Sequence, residues 1–136
     1  MPCAFNPPGV WQPFGAFSLV TLQGDGQVVH LKGQVPLYAD GNIVGIGDMP
    51  AQVDNFLENI QAALAALGGE MGDILSLTQH TTDIAAFMTS GDVHARYFKE
   101  RYPARTTLEV PAFYHPDIME EITAIAEIPR GRFVHP

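Results

Sequence analysis

Alternating apolar and polar residues mark the strands of this chain. In the clearest stretch, 27–37, every second residue is apolar or glycine: Val29, Leu31, Gly33, Val35 and Leu37. The residues between them are mostly polar: Val28, His30, Lys32 and Gln34. Because successive side chains of a strand point to opposite faces, this pattern predicts a strand with one buried face.

Other stretches are typical of strands because they are rich in β-branched and apolar residues. These stretches are residues 14–22, 73–83, 106–114 and 118–128. Residues 43–45 could form a short returning strand after a turn at 39–42. Residues 1–13 hold four prolines and show little periodicity, which predicts an irregular N-terminal arm.

Residues 49–68 carry the clearest helical pattern. Apolar residues recur there at the spacing of one helix face: Val53, Phe56, Leu57, Ile60, Leu64 and Leu67. Asp48 is placed to cap the start of this helix, and a pair of glycines follows its end. A second, shorter helix is predicted over about 91–101, with Ser90 before it as a cap.

The order of the predicted elements is β-β-(β)-α-β-α-β-β. This order predicts an α+β fold in which two helices cover one face of a six-stranded mixed sheet. The other face would remain bare, and oligomerisation usually covers such a face. A length of 136 residues suits a single domain over 1–136, with the arm at 1–13 and a C-terminal tail at 129–136.

Composition and charge exclude several classes of protein. The formal net charge of −8 argues against a nucleic-acid surface, which needs clustered basic residues. No apolar run is long enough to span a bilayer, and the N-terminus lacks the pattern of a signal peptide. We therefore expect a cytoplasmic protein. The single cysteine, Cys3, is expected to be a surface thiol rather than a nucleophile.

The common catalytic and metal-binding motifs are missing from the sequence. Its five histidines do not follow the spacing of metal ligands, so no metal site is predicted. Glycine-rich phosphate loops and a nucleophile elbow are also absent. Any chemistry must rest on less conspicuous residues.

Arg105 is the first of these residues. It follows Pro103 and precedes a predicted strand, so its guanidinium could be held in a fixed direction that suits a carboxylate. The alternative is a solvated arginine that complements a helix C-terminus. Residue types alone favour this second interpretation.

Glu120 and Glu121 stand together in an otherwise apolar strand. Alternation places Glu120 with Ile122 on one face and Glu121 with Thr123 on the other, more polar face. One glutamate must therefore lie either among apolar residues or at an edge of the sheet that is exposed to water. Among apolar residues its proton affinity would rise. A solvated edge strand whose charges prevent aggregation explains the pair equally well.

An ordered series of short motifs over residues 14–128 resembles the RidA/YjgF family. The motifs are Gly33-Gln34-Val35-Pro36, Gly45-Ile46-Gly47-Asp48 with Gln52 and Asn59-Ile60, Thr82-Asp83-Ile84 with Phe87, Tyr97-Phe98, Pro103-Ala104-Arg105-Thr106 with Glu109-Val110, and Glu121-Ile122-Thr123-Ala124-Ile125-Ala126. Each motif is weak alone, but together they follow the order found in the family. The order of the predicted elements also agrees with the family's chorismate-mutase-like fold.

The resemblance implies a homotrimeric barrel with active sites in the clefts between subunits. It implies hydrolysis of reactive 2-imino or enamine acids to 2-oxo acids and ammonia, without a metal or organic cofactor. Arg105 would bind the substrate carboxylate, and Glu121 would position water. The remaining predicted substrate-binding residues are Phe17, Lys32, Gly33, Phe87, Gly91 and Thr107.

The chain departs from the common family pattern at several of these positions. Phe17 replaces a tyrosine, Lys32 a serine, Gly91 an asparagine, and His94 another tyrosine. Lys32 could enter the cleft as a second cation or remain a solvated strand residue. These changes indicate a divergent subgroup with a bulkier or more acidic substrate.

Two alternatives to the deaminase remain. The chain could be a non-catalytic trimeric module that binds small carboxylates or a protein partner. A ribonuclease or inhibitor of translation is also associated with this family, but the charge of −8 makes that activity the least favoured.

Overall fold

The computed structural model describes residues 3–99 and 101–136. The strands are β1 (Cys3–Phe5), β2 (Val20–Leu22), β3 (Gln27–Gln34), β4 (Ile74–Thr81), β5 (Ala104–Glu109) and β6 (Glu120–Ile128). The helices are α1 (Met49–Ala65), α2 (Ile84–Met88) and α3 (Gly91–Tyr97), with a 3-10 turn at Met71–Asp73. The predicted α+β fold with six strands is therefore confirmed.

The strands form two sheets instead of the single sheet expected. Four strands are ordered β3-β6-β4-β5, with β4 and β5 parallel and the other pairs antiparallel, whereas β1 pairs only with β2. The predicted first strand at 14–22 shortens to β2, and Ser18 makes one isolated bridge to Ala104. The Leu19 N–H donates to Asn6 Oδ1 at 2.8 Å, so it is not available to a neighbouring strand.

The predicted N-terminal arm is partly ordered. Its described residues begin with β1, whereas residues 6–13 contain neither helix nor strand. Cys3 lies in β1 and is an exposed free thiol, as expected. The predicted returning strand at 43–45 is reduced to a single bridge between Ile43 and Leu37.

Helix α1 supplies more residues to the apolar core than any other element. The Asp48 side chain accepts a hydrogen bond from the Ala51 N–H at 3.1 Å, which confirms the predicted N-cap. The apolar residues of this helix that are fully buried are Val53, Phe56, Leu57, Ile60 and Leu64. These side chains pack against apolar residues of β3, β4 and β6, so the core lies between the helices and one face of the sheet.

The second helical region differs from its prediction. Helix α2 was not predicted, and it begins after Asp83, whose side chain accepts a hydrogen bond from the Ala86 N–H at 3.0 Å. Helix α3 ends at Tyr97 instead of about residue 101, because Phe98 is extended and Arg101 has a positive φ of 63°. Glu100 lies outside the described residues.

Alternate residues of strand β6 lie on the two opposite faces of the four-stranded sheet. It pairs with β3 on one side and β4 on the other, so its interpretation as a solvated edge strand is wrong. Glu120 lies on the helix-covered face and is completely buried, whereas Glu121 lies on the opposite, open face. The glutamate among apolar residues is therefore Glu120 and not the predicted catalytic residue.

Glu120 is held as a neutral carboxyl. Neither carboxyl oxygen has a partner in hydrogen-bonding geometry among the described residues. Burial raises the pKa of Glu120 to about 9, from an ordinary value near 4.5, and the nearby Thr81 hydroxyl acts in the opposite direction. The folded chain therefore binds a proton at neutral pH that the unfolded chain releases.

The C-terminal tail is fixed by a partly buried ion pair. Arg132 Nη2 donates to Asp73 Oδ1 at 2.7 Å, and the Asp73 side chain is fully buried. The same guanidinium donates to the Gly68 carbonyl, and the Val134 N–H donates to the Leu67 carbonyl. Gly68 has a φ of +79°, and a side chain there would collide with the Arg132 carbonyl. The tail thus packs on the segment that directly follows α1.

We predict that Glu120→Gln stabilises the fold more at pH 8 than at pH 5. A raised carboxyl pKa makes wild-type stability fall as pH rises from about 4.5 towards 9, and the amide removes this penalty. The gain should grow by at least about 1 kcal/mol between the two pH values, as measured by urea unfolding. Glu58→Gln, which removes an exposed carboxyl, is the matched control. An identical gain at both pH values would contradict a protonated Glu120.

We predict that Arg132→Leu lowers the free energy of unfolding by about 2 kcal/mol, because Asp73 is left buried without its charged partner. Thermal or urea unfolding measures the loss. Arg130→Leu is the control, since the Arg130 side chain donates an exposed hydrogen bond to the Asp25 carbonyl instead of pairing with a buried carboxylate. Equal stability of the two variants would show that the tail is not held by this pair.

Candidate active site

Arg105 lies at the start of β5 with its side chain on the helix-covered face. It pairs in register with Leu77 of β4, which is buried in the core. The guanidinium carbon lies 5.2 Å from the ring centroid of Phe98, in cation–π geometry. Arg105 is therefore not the solvated arginine that residue types alone favoured.

The guanidinium of Arg105 is buried and still has unused donors. Among the residues that the structure describes, Nε and Nη2 have no hydrogen-bond partner. Burial lowers the pKa of Arg105 to about 10, so the group remains cationic at neutral pH. A buried cation without an acceptor is costly, and a ligand carboxylate would supply both the charge and the acceptors.

The Arg105 side chain lines a cavity of about 590 Å³. Four of the predicted substrate-binding residues line the same cavity: Phe17, Phe87, Gly91 and Thr107. The volume lies within the range of small-molecule sites. The structure thus brings five predicted site residues together, and their roles remain predictions.

His94 also reaches this cavity, where its ring is buried and neutral. Burial, followed by the charge of Arg105, lowers the pKa of His94 to about 4. Its Nδ1 lies 3.2 Å from the Ser90 carbonyl oxygen and its Nε2 lies 2.9 Å from Oε1 of Gln79. Because a neutral ring carries only one N–H, it cannot donate to two acceptors.

Rotation of the Gln79 amide by 180° would remove this conflict. His94 then donates from Nδ1 to Ser90, and its Nε2 accepts from the amide nitrogen of Gln79. The amide oxygen of Gln79 comes to face Thr107 Oγ1, which lies 3.0 Å from the present amide nitrogen, and accepts its hydroxyl proton. The Thr107 hydroxyl would therefore direct its lone pairs into the cavity as acceptors.

The outer wall of the cavity is aromatic and comes from the N-terminal segment. The ring centroid of Phe14 lies 5.9 Å from that of Trp11 and 5.1 Å from that of Phe17. Phe87 and Met88 of α2 also line the cavity. The sequence prediction missed Trp11, in the proline-rich arm, and Phe14, at the start of the predicted first strand, because their place beside this cavity depends on residues far away in the chain.

The other predicted site residues lie on the open face of the sheet. Glu121 pairs with His80 in register, and its Oε1 lies 3.9 Å from His80 Nδ1. An ideal Cβ on Gly33 would lie 2.6 Å from the Glu121 carboxyl carbon, so any larger residue here would displace the Glu121 side chain. Lys32 is exposed, and its Nζ donates to the Gly33 carbonyl at 3.3 Å.

The face predicted for Gly33 was wrong because β3 contains a bulge. The register with β6 shifts between Leu31 and Gln34. An extra residue on one strand interrupts the alternation of faces. Gly33 therefore faces Glu121 instead of sharing the core face with Leu31.

Arg105 and Glu121 consequently do not meet within one chain. Arg105 lies beside Leu77, and Leu77 lies beside Ala124, so all of them share the buried face. Glu121 belongs to the opposite face with His80. The predicted residues form two groups: the Arg105 group around the cavity, and the Glu121 group of Lys32, Gly33 and Glu121 on the open face.

The described residues show neither a metal site nor a membrane-spanning helix. They contain no cluster of three or more histidine, cysteine, aspartate or glutamate side chains placed to hold a metal ion. Within the same residues, no helix is both long enough and apolar enough to cross a membrane.

Comparison with known proteins gives a consistent result. The sequence model of the family described as Endoribonuclease L-PSP matches residues 11–128. A RutC family protein of Pyrococcus horikoshii is 33% identical over 115 residues, covering 85% of this chain and 89% of the relative.

Solved structures agree with this assignment. The protein YyfB of the conserved Rid family from Yersinia pestis is 28% identical, with a TM-score of 0.83 over 93% of this chain and 98% of that one. A YjgF family member from Neisseria meningitidis, 22% identical, has the same fold with a TM-score of 0.65, over 82% of this chain and 86% of that one. The chain therefore belongs to the RidA/YjgF family, as the order of its motifs and the architecture of its sheet had indicated.

Proposed function

We propose that this protein is a deaminase that hydrolyses reactive 2-imino or enamine acids to 2-oxo acids and ammonia. The observation that carries the proposal is the buried Arg105 guanidinium, whose Nε and Nη2 have no partner among the described residues and which lines a cavity. A planar fork of N–H donors matches the two oxygens of a carboxylate.

The proposed reaction requires few catalytic groups. Water adds to the electrophilic imine carbon, a proton passes to the nitrogen, and the carbon–nitrogen bond breaks to leave a 2-oxo acid and ammonia. Binding the carboxylate through Arg105 and orienting one water molecule would supply most of the acceleration. A Thr107 hydroxyl that acts as an acceptor would suit the N–H group of the substrate.

Glu121 is proposed to hold the attacking water and accept its proton. Because it lies on the open face, it must come from a neighbouring subunit if it is to meet Arg105. A homotrimer in which the open faces pack together would bring the Glu121 group of one subunit to the Arg105 group of the next. Such head-to-tail contacts close into a ring with three identical sites.

The separation of the two groups also favours a second candidate, a non-catalytic module that binds small carboxylates. Arg105 and its cavity alone would suffice for that function. An RNA-cleaving activity, as named in the description of the family, is disfavoured by the net charge of −8.

We predict that Arg105→Ala abolishes imine hydrolysis, with a loss of at least roughly 100-fold in kcat/KM, and leaves the trimer intact. Arg105→Lys keeps the charge without the planar fork and should recover only part of the rate. The assay couples an amino acid oxidase to the protein and follows release of the 2-oxo acid, with sedimentation as the check on assembly. Arg96→Ala, which removes an exposed arginine paired with Asp54, is the control. Wild-type activity in the Arg105→Ala variant would contradict the proposed deaminase function.

We predict that mixed trimers of Arg105→Ala and Glu121→Gln subunits recover activity that neither variant has alone. Each mixed ring contains one junction where an intact Arg105 meets an intact Glu121, so random mixing restores about a quarter of the wild-type sites. Co-expression of differently tagged subunits provides the mixed trimers. If mixing restores nothing, the site does not combine these residues from neighbouring subunits.

A further inference from the structure

We infer that the ligand held by Arg105 carries an aromatic or similarly bulky apolar group next to its carboxylate. This inference rests on the proposed role of Arg105 as the carboxylate anchor. It goes further by naming what fills the rest of the cavity.

The first support is the aromatic wall. Trp11, Phe14 and Phe17 form a cluster in which each pair of ring centroids is 5.1 to 6.0 Å apart. Trp11 is 61% exposed and Phe14 is 85% exposed, although both line the cavity. Rings left in water gain by packing against a second apolar surface, and aromatic pairs gain further from their geometry.

The second support is the absence of further charge. Arg105 is the only charged side chain among the residues that line the cavity, because His94 is neutral. Within one subunit Lys32 does not line this cavity, and in the proposed trimer it would come from the neighbouring subunit together with Glu121. The part of the cavity that one subunit forms therefore offers one cation for one carboxylate, and the rest of its lining is mostly apolar, which favours a bulky apolar group on the ligand.

The third support is space. An ideal Cβ on Gly91 would meet no heavy atom within 4 Å. Gly91 lines the cavity together with Phe87 and Met88, so this glycine leaves room beside apolar side chains. The ring of a ligand would contact these apolar side chains and the aromatic cluster that line the same cavity.

The test compares two stable 2-oxo acids that differ only by a phenyl ring. Phenylpyruvate and pyruvate are titrated separately into the intact protein by calorimetry. We expect phenylpyruvate to bind at least roughly tenfold more tightly. Equal binding, or tighter binding of pyruvate, would overturn the inference.

Two variants locate the contact. Phe14→Ala should reduce the preference for phenylpyruvate, whereas Phe5→Ala, which removes a half-exposed ring of β1 that does not line the cavity, should leave it unchanged. Gly91→Leu fills the open space and should also reduce the preference. A preference that survives both cavity variants would refute the proposed location. So would a Phe14→Ala variant whose trimer dissociates while its preference is unchanged, since the ring would then serve assembly.

The same titrations, combined with hydrolysis rates of the corresponding imines, separate this inference from the proposed deaminase. If the protein hydrolyses phenylalanine-derived and alanine-derived imines at equal kcat/KM and binds both 2-oxo acids equally, the deaminase stands and the aromatic preference fails. If it hydrolyses neither imine but binds phenylpyruvate more tightly through Arg105, the deaminase fails and the ligand class stands.

Discussion

The alternation of side chains across a four-stranded sheet organises this molecule. Because β6 is paired on both sides, neighbouring residues on it must face opposite ways, and a shift of one residue would exchange the two faces. Glu120 is consequently buried under the helices, and Glu121 lies on the open face beside His80. The same rule separates Arg105 from Glu121. In the proposed deaminase, the two residues would therefore have to meet between subunits.

Ionisable groups on the buried face show how the fold treats charge. Glu120 avoids the cost of a buried charge by keeping its proton, and His94 avoids it by losing one. Arg105 cannot do either at neutral pH, because a lowered pKa of about 10 still leaves it charged. It is thus the buried group with the most to gain from an anionic ligand. In a chain of net charge −8, this local cation provides the attraction that the overall field does not.

Sequence patterns predicted the regular elements better than the site. The stripe of α1, its Asp48 cap and the alternation of β6 are local features, so they could be recognised without the structure. Helix α2 was missed because it is only five residues long and has no full apolar stripe. Trp11 and Phe14 were missed for a different reason: their function depends on a cavity formed with distant residues. Arg105 was singled out by its proline neighbour and the family motif, but its burial was not foreseen.

The sequence by itself determined which residues alternate, where the longest helix begins, and which family the motifs follow. These properties depend on neighbours within a few positions along the chain. Tertiary structure alone decided that β6 is central, that a bulge turns Gly33 towards Glu121, and that Gln79 links His94 to Thr107. Those features arise from pairing between segments far apart in sequence, and the energies that select one register depend on packing that no local pattern contains.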